Sequence, residues 1–238
     1  GVPQGQLVFR DGAMMASSDY ATITLHGVGG HGAMPHLGAD PVVAGASIVM
    51  ALQSIVARNV DPQHTAVVTV GAFNAGQANN VIPAQAKLEL SVRALDPQVR
   101  QLLERRIKDL VHAQASSLGV SAEIHWRAGY CVLVNHDEPT AMARRVGVKV
   151  CGEQGVNLNG PALTGSEDFA FMLEKVPGSY VLIGNGVASL EGEESSKPSS
   201  ACMVHNPGYD FNDDIIDTGA AFWVALAQDF LAPEAHQA

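Results

Sequence analysis

Basic residues are scarce in this sequence. Fourteen Lys and Arg stand against twenty-four Asp and Glu, a formal charge of −10, and they form no run along the chain. Nothing therefore offers the clustered positive charge that a phosphate backbone requires, and nucleic acid is not an expected partner. Cysteine is scarcer still. Cys131, Cys151 and Cys202 are odd in number, far apart and in no C-x-x-C arrangement, which argues against a disulfide framework or a structural zinc knot and fits a reducing cytoplasm. No apolar run stands out as long enough to span a bilayer, and the first residues, GVPQGQLVFRDG, lack the charged and apolar regions of a leader, so no membrane partner is expected. The sequence opens without Met, in residues that read as sheet and turn, and is expected to be a fragment. There is no internal repeat; VASLEGEESSKPSS, residues 187–200, reads as a polar loop.

What is present is a chain of 238 residues, 47% apolar, enough for one sizeable core or two modest ones. DYATITLH, Asp19 to His26, is rich in β-branched residues and reads as a strand. Asp40 and Pro41 then supply an N-cap and a first-turn proline for a helix to about Arg58, with Val42, Ala46, Val49, Leu52 and Val56 as its apolar stripe. Thr65 to Phe73 is a second strand. In KLELSVRAL, Leu88, Leu90, Val92 and Ala94 alternate with Lys87, Glu89, Ser91 and Arg93, so Arg93 points away from the core face. Pro97 opens a second helix carrying Val99, Leu102, Leu103, Ile107 and Leu110 on one face, and Val120, Ala122, Ile124 and Trp126 alternate in a fourth strand.

The order β-α-β-β-α-β is the ferredoxin-like split βαβ, an open sheet with both helices on one side. It covers residues 19–128. The preceding residues 1–18 are read as the end of an earlier segment and a hinge, and residues 129–238 follow a different plan. A helix is expected from Pro139 to Gly155, another capped by Ser166 and running through Val176, a short buried strand in SYVLIG, and an apolar closing helix from Asp214 to Leu231. The fold class is α/β (α+β), a ferredoxin-like module plus part of an α/β layer.

GVGGHGAMPH, Gly27 to His36, fits the dinucleotide fingerprint G-x-G-x-x-G letter for letter. A phosphate-binding loop, however, needs its last glycine to open a helix and an acidic residue about twenty positions on. Pro35 and the HLGADP turn separate Gly32 from the helix, and Ser47 to Leu52 contain no Asp or Glu. The glycines then mark either an ordinary turn with two polar histidines or a loop built around those histidines.

Read together, GGHGAMPHLGADP, GSEDFAFM (165–172) and HNPGYDFND (205–213) resemble the metal-dependent amidohydrolase and aminoacylase family, of the hippurate hydrolase and auxin-conjugate hydrolase type, related to zinc exopeptidases. The resemblance covers nearly the whole chain in order. It implies an enzyme of two parts: a catalytic α/β domain holding two divalent metals (zinc, manganese or nickel), and a ferredoxin-like lid that pairs with the lid of a second subunit in a homodimer. The reaction implied is hydrolysis of the amide bond of N-acyl or N-aroyl amino acids, hippurate-like substrates among them.

Residue by residue, the resemblance makes His31 the lid histidine that enters the partner's active site and stabilises the oxyanion. A donor of that kind is worth about 3 kcal/mol of barrier. Asn80 and Arg93 fall where related lids hold the substrate carboxylate; on periodicity alone Arg93 is a solvated edge arginine and Asn80 a turn residue. Gly165 and Ser166 lie where the family lines its substrate pocket, and Ser166 is also a good helix cap. His205 matches the family's late metal ligand, although a lone histidine is by itself no metal site. The family's other metal ligands and its general-base glutamate have no counterpart before Asp19, so the chain is expected to be the lid plus the last part of the catalytic domain, inactive alone. The competing class is a non-catalytic ferredoxin-like module that dimerises or binds a small acid.

Overall fold

The computed structural model describes residues 2–186 and 204–232; the expected loop at 187–200 and Cys202 lie outside them. In chain order the strands are β1 (Leu7–Val8), β2 (Gly12–Met15), β3 (Asp19–His26), β4 (Gly30–His31), β5 (Ala66–Ala75), β6 (Val81–Ile82), β7 (Gln85–Ala94), β8 (Ser121–Ala128), β9 (Leu133–Asn135), β10 (Val156–Asn157) and β11 (Leu182–Ile183). The α-helices are α1 (Pro41–Asn59), α2 (Pro97–Ser117), α3 (Asp137–Cys151), α4 (Phe169–Leu173) and α5 (Ile216–Leu231). Two compact units result: residues 15–133 with 162–172, and residues 2–14, 134–161 and 173 onward. The segment 162–172 thus groups with the lid rather than with the residues that flank it.

The lid unit is the expected ferredoxin-like sheet, with β5-β7-β3-β8 all antiparallel. Ile23 faces Leu88 on one side and Ile124 on the other. Because the side-chain period of a strand is two, this register sends Ala21, Ile23, Leu25, Leu88, Leu90 and Val92 to one face. There they meet Ile48, Leu52 and Ile55 of α1 and Leu103, Ile107 and Val111 of α2, all buried. Burying each such side chain contributes about 1.5–3 kcal/mol. Both helices start as read: the Asp40 and Asp96 side chains accept from the second and third helical amides, ahead of Pro41 and Pro97.

One expectation about α1 is corrected. Its 19 residues are by length and composition apolar enough to cross a membrane. In this fold the buried stripe of α1 is Ala44, Ile48, Leu52 and Ile55, which lies in the core of this unit, whereas Val42 and Ala46 of the expected stripe are exposed.

A buried ion pair closes the lid. Asp19, 2% exposed, accepts from Arg100 Nε at 2.8 Å and Nη2 at 2.6 Å and from the Gly129 amide at 3.1 Å, tying β3 to α2 and to the end of β8. The carboxylate beside it raises the Arg100 pKa above its ordinary value.

In the second unit, β1 lies between β10, parallel, and β11, antiparallel. Phe9 packs edge-on to Phe222 of α5 at 6.3 Å. Gly147 permits α3 to approach: a Cβ there would meet the Phe9 ring at 2.7 Å. The helices here depart from expectation. α3 runs Asp137–Cys151 rather than 139–155, because Pro139 is tolerated in a first turn and Gly152, at φ 72°, stops the helix in the left-handed region. The closing helix begins as a 3-10 turn at Asp213–Ile215 and becomes α-helical at Ile216.

Candidate functional site

The loop after β3 holds His31 by backbone geometry. Gly30 and His31 form β4, paired with Ile82 and Val81 of β6. The glycines serve this close approach within the chain: a Cβ at Gly29 would meet the Ile82 carbonyl oxygen at 2.9 Å, at Gly32 the Asn80 oxygen at 3.0 Å, and at Gly27 the Ala39 oxygen at 2.2 Å. The Gly32 amide donates to the Asn80 carbonyl at 2.8 Å, which places Asn80 next to the His31 loop. The His31 side chain is exposed, and its Nδ1 accepts from the Ala33 amide at 3.0 Å. In the neutral imidazole that bond assigns the proton to Nε2, leaving a donor directed away from its own loop.

Arg93 stands on the outer face of β7, as the alternation requires, opposite Val67 of β5. Its Nη1 donates to Ser166 Oγ at 3.0 Å across 73 residues of sequence, and its Nε donates to Ser91 Oγ at 3.4 Å. No carboxylate neutralises it among the described residues.

The capping role expected of Ser166 is corrected: α4 begins only at Phe169 and is five residues long, so Ser166 is not its cap and its hydroxyl is engaged by Arg93. Pro177, which disfavours helix at the residue before it, accounts for the early end short of Val176. Gly165 is fixed through its carbonyl, which accepts from the Ala16 amide at 2.8 Å. Arg93, Gly165 and Ser166 are thus brought together, and His31 and Asn80 form a second cluster in the same unit.

His205 belongs to the other unit. It is exposed, and it is the non-glycine residue with positive φ, 75°, among those described. Such backbone in a non-glycine residue costs on the order of 1–3 kcal/mol and is found disproportionately at functional positions. A turn follows, in which Asn206 Oδ1 accepts from the Gly208 amide at 2.8 Å. Among the described residues no three His, Cys, Asp or Glu side chains gather as a metal would need. The donors here therefore do not fit a dinuclear centre, and His205 is a lone candidate ligand.

Residues 16–118, which hold most of this four-stranded antiparallel sheet, its two covering helices and the exposed histidine of β4, match the peptidase dimerisation domain. Residues 16–118 thus carry the M20 peptidase dimerisation domain, and over nearly its whole length the chain is related to amidohydrolases and aminoacylases. It is similar to hippurate hydrolase of Campylobacter jejuni, 39% identical over 93% of this chain and 55% of that protein. It is also similar to an IAA-amino acid hydrolase of Arabidopsis thaliana, 31% identical over 95% of this chain and 51% of that protein. Among solved structures, a dinuclear metal-binding M20 peptidase of Bacillus subtilis superposes with a TM-score of 0.73 at 24% identity, over 95% of this chain and 53% of that one. The chain spans about half the length of the curated relatives it matches.

Proposed function

We propose that this chain is the lid-bearing, C-terminal share of an amidohydrolase that adds water across the amide bond of N-acyl or N-aroyl amino acids, releasing a carboxylic acid and an amino acid. The observation that carries the reading is Arg93: a guanidinium with no carboxylate partner among the described residues, held by Ser166 beside Gly165, is set to receive the carboxylate of an amino acid in bidentate fashion. Asn80 assists it. His31 presents Nε2–H to the oxyanion that forms when the amide carbonyl is attacked, in the active site of the second subunit.

The homodimer is supported by exposed apolar side chains around that loop, Val28, Met34, Leu37, Val43 and Val81, a patch of the kind that marks an interaction surface. His205 is offered as one ligand of a divalent metal, its strained backbone being consistent with a functional position. Its donors alone do not make a metal centre, so this chain by itself is expected to be inactive. The scarcity of cysteine supports a cytoplasmic setting.

The test is benzoate release from hippurate by the complete protein with manganese or zinc. Activity that falls about 10²–10³-fold in kcat with His31→Ala, and that shows a raised KM with Arg93→Gln, supports the reading; a complete protein inactive on N-acyl amino acids with every metal sinks it. A lid whose core closes within one unit favours, as the second reading, a non-catalytic dimerising module that binds a small acid. That module would retain acid binding at Arg93 and never acquire amidase activity.

A further inference from the structure

The outer face of the lid sheet carries a second guanidinium that the reading above does not use. Arg127 of β8 lies directly across from Tyr20 of β3, and its Cζ sits 4.6 Å from the centre of the Tyr20 ring. Arg93 approaches the same ring at 5.9 Å. Two cations thus flank one tyrosine in a protein whose net charge is −10. Arg127 is exposed and, like Arg93, has no carboxylate partner among the described residues. Stacking on tyrosine leaves the edge of a guanidinium, where its N–H donors point, available to an anion.

The ring also walls a cavity of about 320 Å³, lined by Tyr20, Thr22, Gly71, Glu89, His125 and Arg127. The cavity has a structural origin. The register of β5 on β7 slips between Val70 and Ala72, and the residue at the slip, Gly71, contributes no side chain to the floor. The one carboxylate in the lining, Glu89, is already engaged by Lys87 and by the Thr22 hydroxyl. It therefore opposes an incoming anion less than an unpaired carboxylate would, and the uncommitted charge at this end of the sheet is positive.

We propose that Arg127 and Arg93 together bind a ligand bearing two carboxylates, with Arg93 on one and Arg127 on the other beside Tyr20. For the amidohydrolase this names the substrate class: N-acyl amino acids with an acidic side chain, Arg127 selecting the side chain while Arg93 holds the α-carboxylate. The proposal rests on the carboxylate role assigned to Arg93 above.

The experiment is calorimetric titration of this chain with glutarate, a dianion, and with butyrate, a monoanion, at constant ionic strength. Glutarate is expected to bind about tenfold or more tightly than butyrate, the scale of one added charge-assisted pair. Arg127→Gln should erase that advantage and leave butyrate unchanged, whereas Arg93→Gln should weaken both ligands. Since Arg127 is exposed, the thermal midpoint of its variant should match the parent, which separates lost binding from lost fold. Equal affinity for the two acids, or a glutarate advantage that survives Arg127→Gln, overturns the proposal. If Arg93→Gln weakens both acids and Arg127→Gln neither, the role of Arg93 stands and the two-carboxylate site falls. If Arg127→Gln acts and Arg93→Gln changes nothing, both the paired site and the carboxylate role of Arg93 fall.

Discussion

In the lid, the apolar side chains of β3 and β7 alternate inward and find α1 and α2 above them, so that Ile23, Leu25, Leu88, Ile48, Leu103 and Ile107 are all fully buried. In the unit that carries His205, α5 turns Phe222 inward beside Phe9 but leaves Trp223, Phe230 and Leu231 69%, 73% and 76% exposed. The two units are built from similar residue types and differ in how much apolar surface their own elements cover. The lid's two-helix core closes on itself, and its outward apolar residues lie along α1, around the His31 loop and at Phe171 and Met172 of α4, with Phe73, Leu118 and Tyr130 less exposed. α5 is apolar on more sides than α3 covers, and a helix apolar nearly all round is normally a buried one. A chain that spans about half the length of its relatives thus contains one module with a finished core and a second that presents apolar surface.

The largest effect that would sharpen this contrast lies at Asp19. Replacing it with Ala leaves Arg100, whose guanidinium it engages twice, without its partner, and breaking such a pair costs about 3–5 kcal/mol. The two tryptophans fall one in each unit, Trp126 on β8 and Trp223 on α5, so each reports on its own surroundings. Urea unfolding of Asp19→Ala should show an earlier transition by Trp126 fluorescence, read in a Trp223→Phe background, and an unshifted one by Trp223 in a Trp126→Phe background. An equal shift in both would erase the distinction between the units.

A paired substitution gives the next largest difference. Leu103→Ala, in the closed core, should cost about 2–5 kcal/mol. Leu231→Lys, on the open face of α5, should change stability by no more than about 0.5 kcal/mol while lowering the binding of a hydrophobic dye and any self-association. Dye binding that is unmoved by Leu231→Lys would mean that the exposed face of α5 is not what the solvent meets.

The same contrast explains what could be read beforehand. The lid was legible because its elements are long and periodic: KLELSVRAL alternates over a full strand, and Asp40 with Pro41, and Pro97, mark the helix starts. Strands of two residues such as β1, β10 and β11 carry no period to detect, and they form only because distant segments meet. The ion pair of Asp19 with Arg100 and the bond from Arg93 to Ser166 join residues far apart in sequence, a relation that spacing does not encode. Local propensity misjudged Ser166: its hydroxyl accepts from Arg93 of β7, and at the start of α4 it is Glu167 Oε1 that accepts from the Phe169 amide. Candidate site residues were visible one by one through the three motifs, but which of them meet was not. Arg127 was passed over because an arginine at an alternating strand position resembles any solvated one until Tyr20 is found across from it.

The smallest expected effect distinguishes the outer face of the lid sheet from its sealed inner face. The Glu89 carboxylate accepts from Lys87 and from the Thr22 hydroxyl, the latter at 2.7 Å, and these bonds hold its pKa below the ordinary 4.5. A lowered pKa in the folded state means that the unfolded chain takes up this proton more readily. The stabilisation is therefore present above the ordinary value and is lost as pH falls through the lowered one. Because Glu89 is substantially exposed, its size is that of a surface pair, about 0–1 kcal/mol, and it should shrink with added salt. Lys87→Ala should lower lid stability slightly at neutral pH and match the parent once Glu89 is protonated, as followed by Trp126 in acid titrations of the unfolding midpoint. A Lys87→Ala deficit that persists unchanged into strong acid would assign the loss to the lysine's packing instead of its charge, and the outer face would then be held, like the inner one, by contact rather than by ionic pairing.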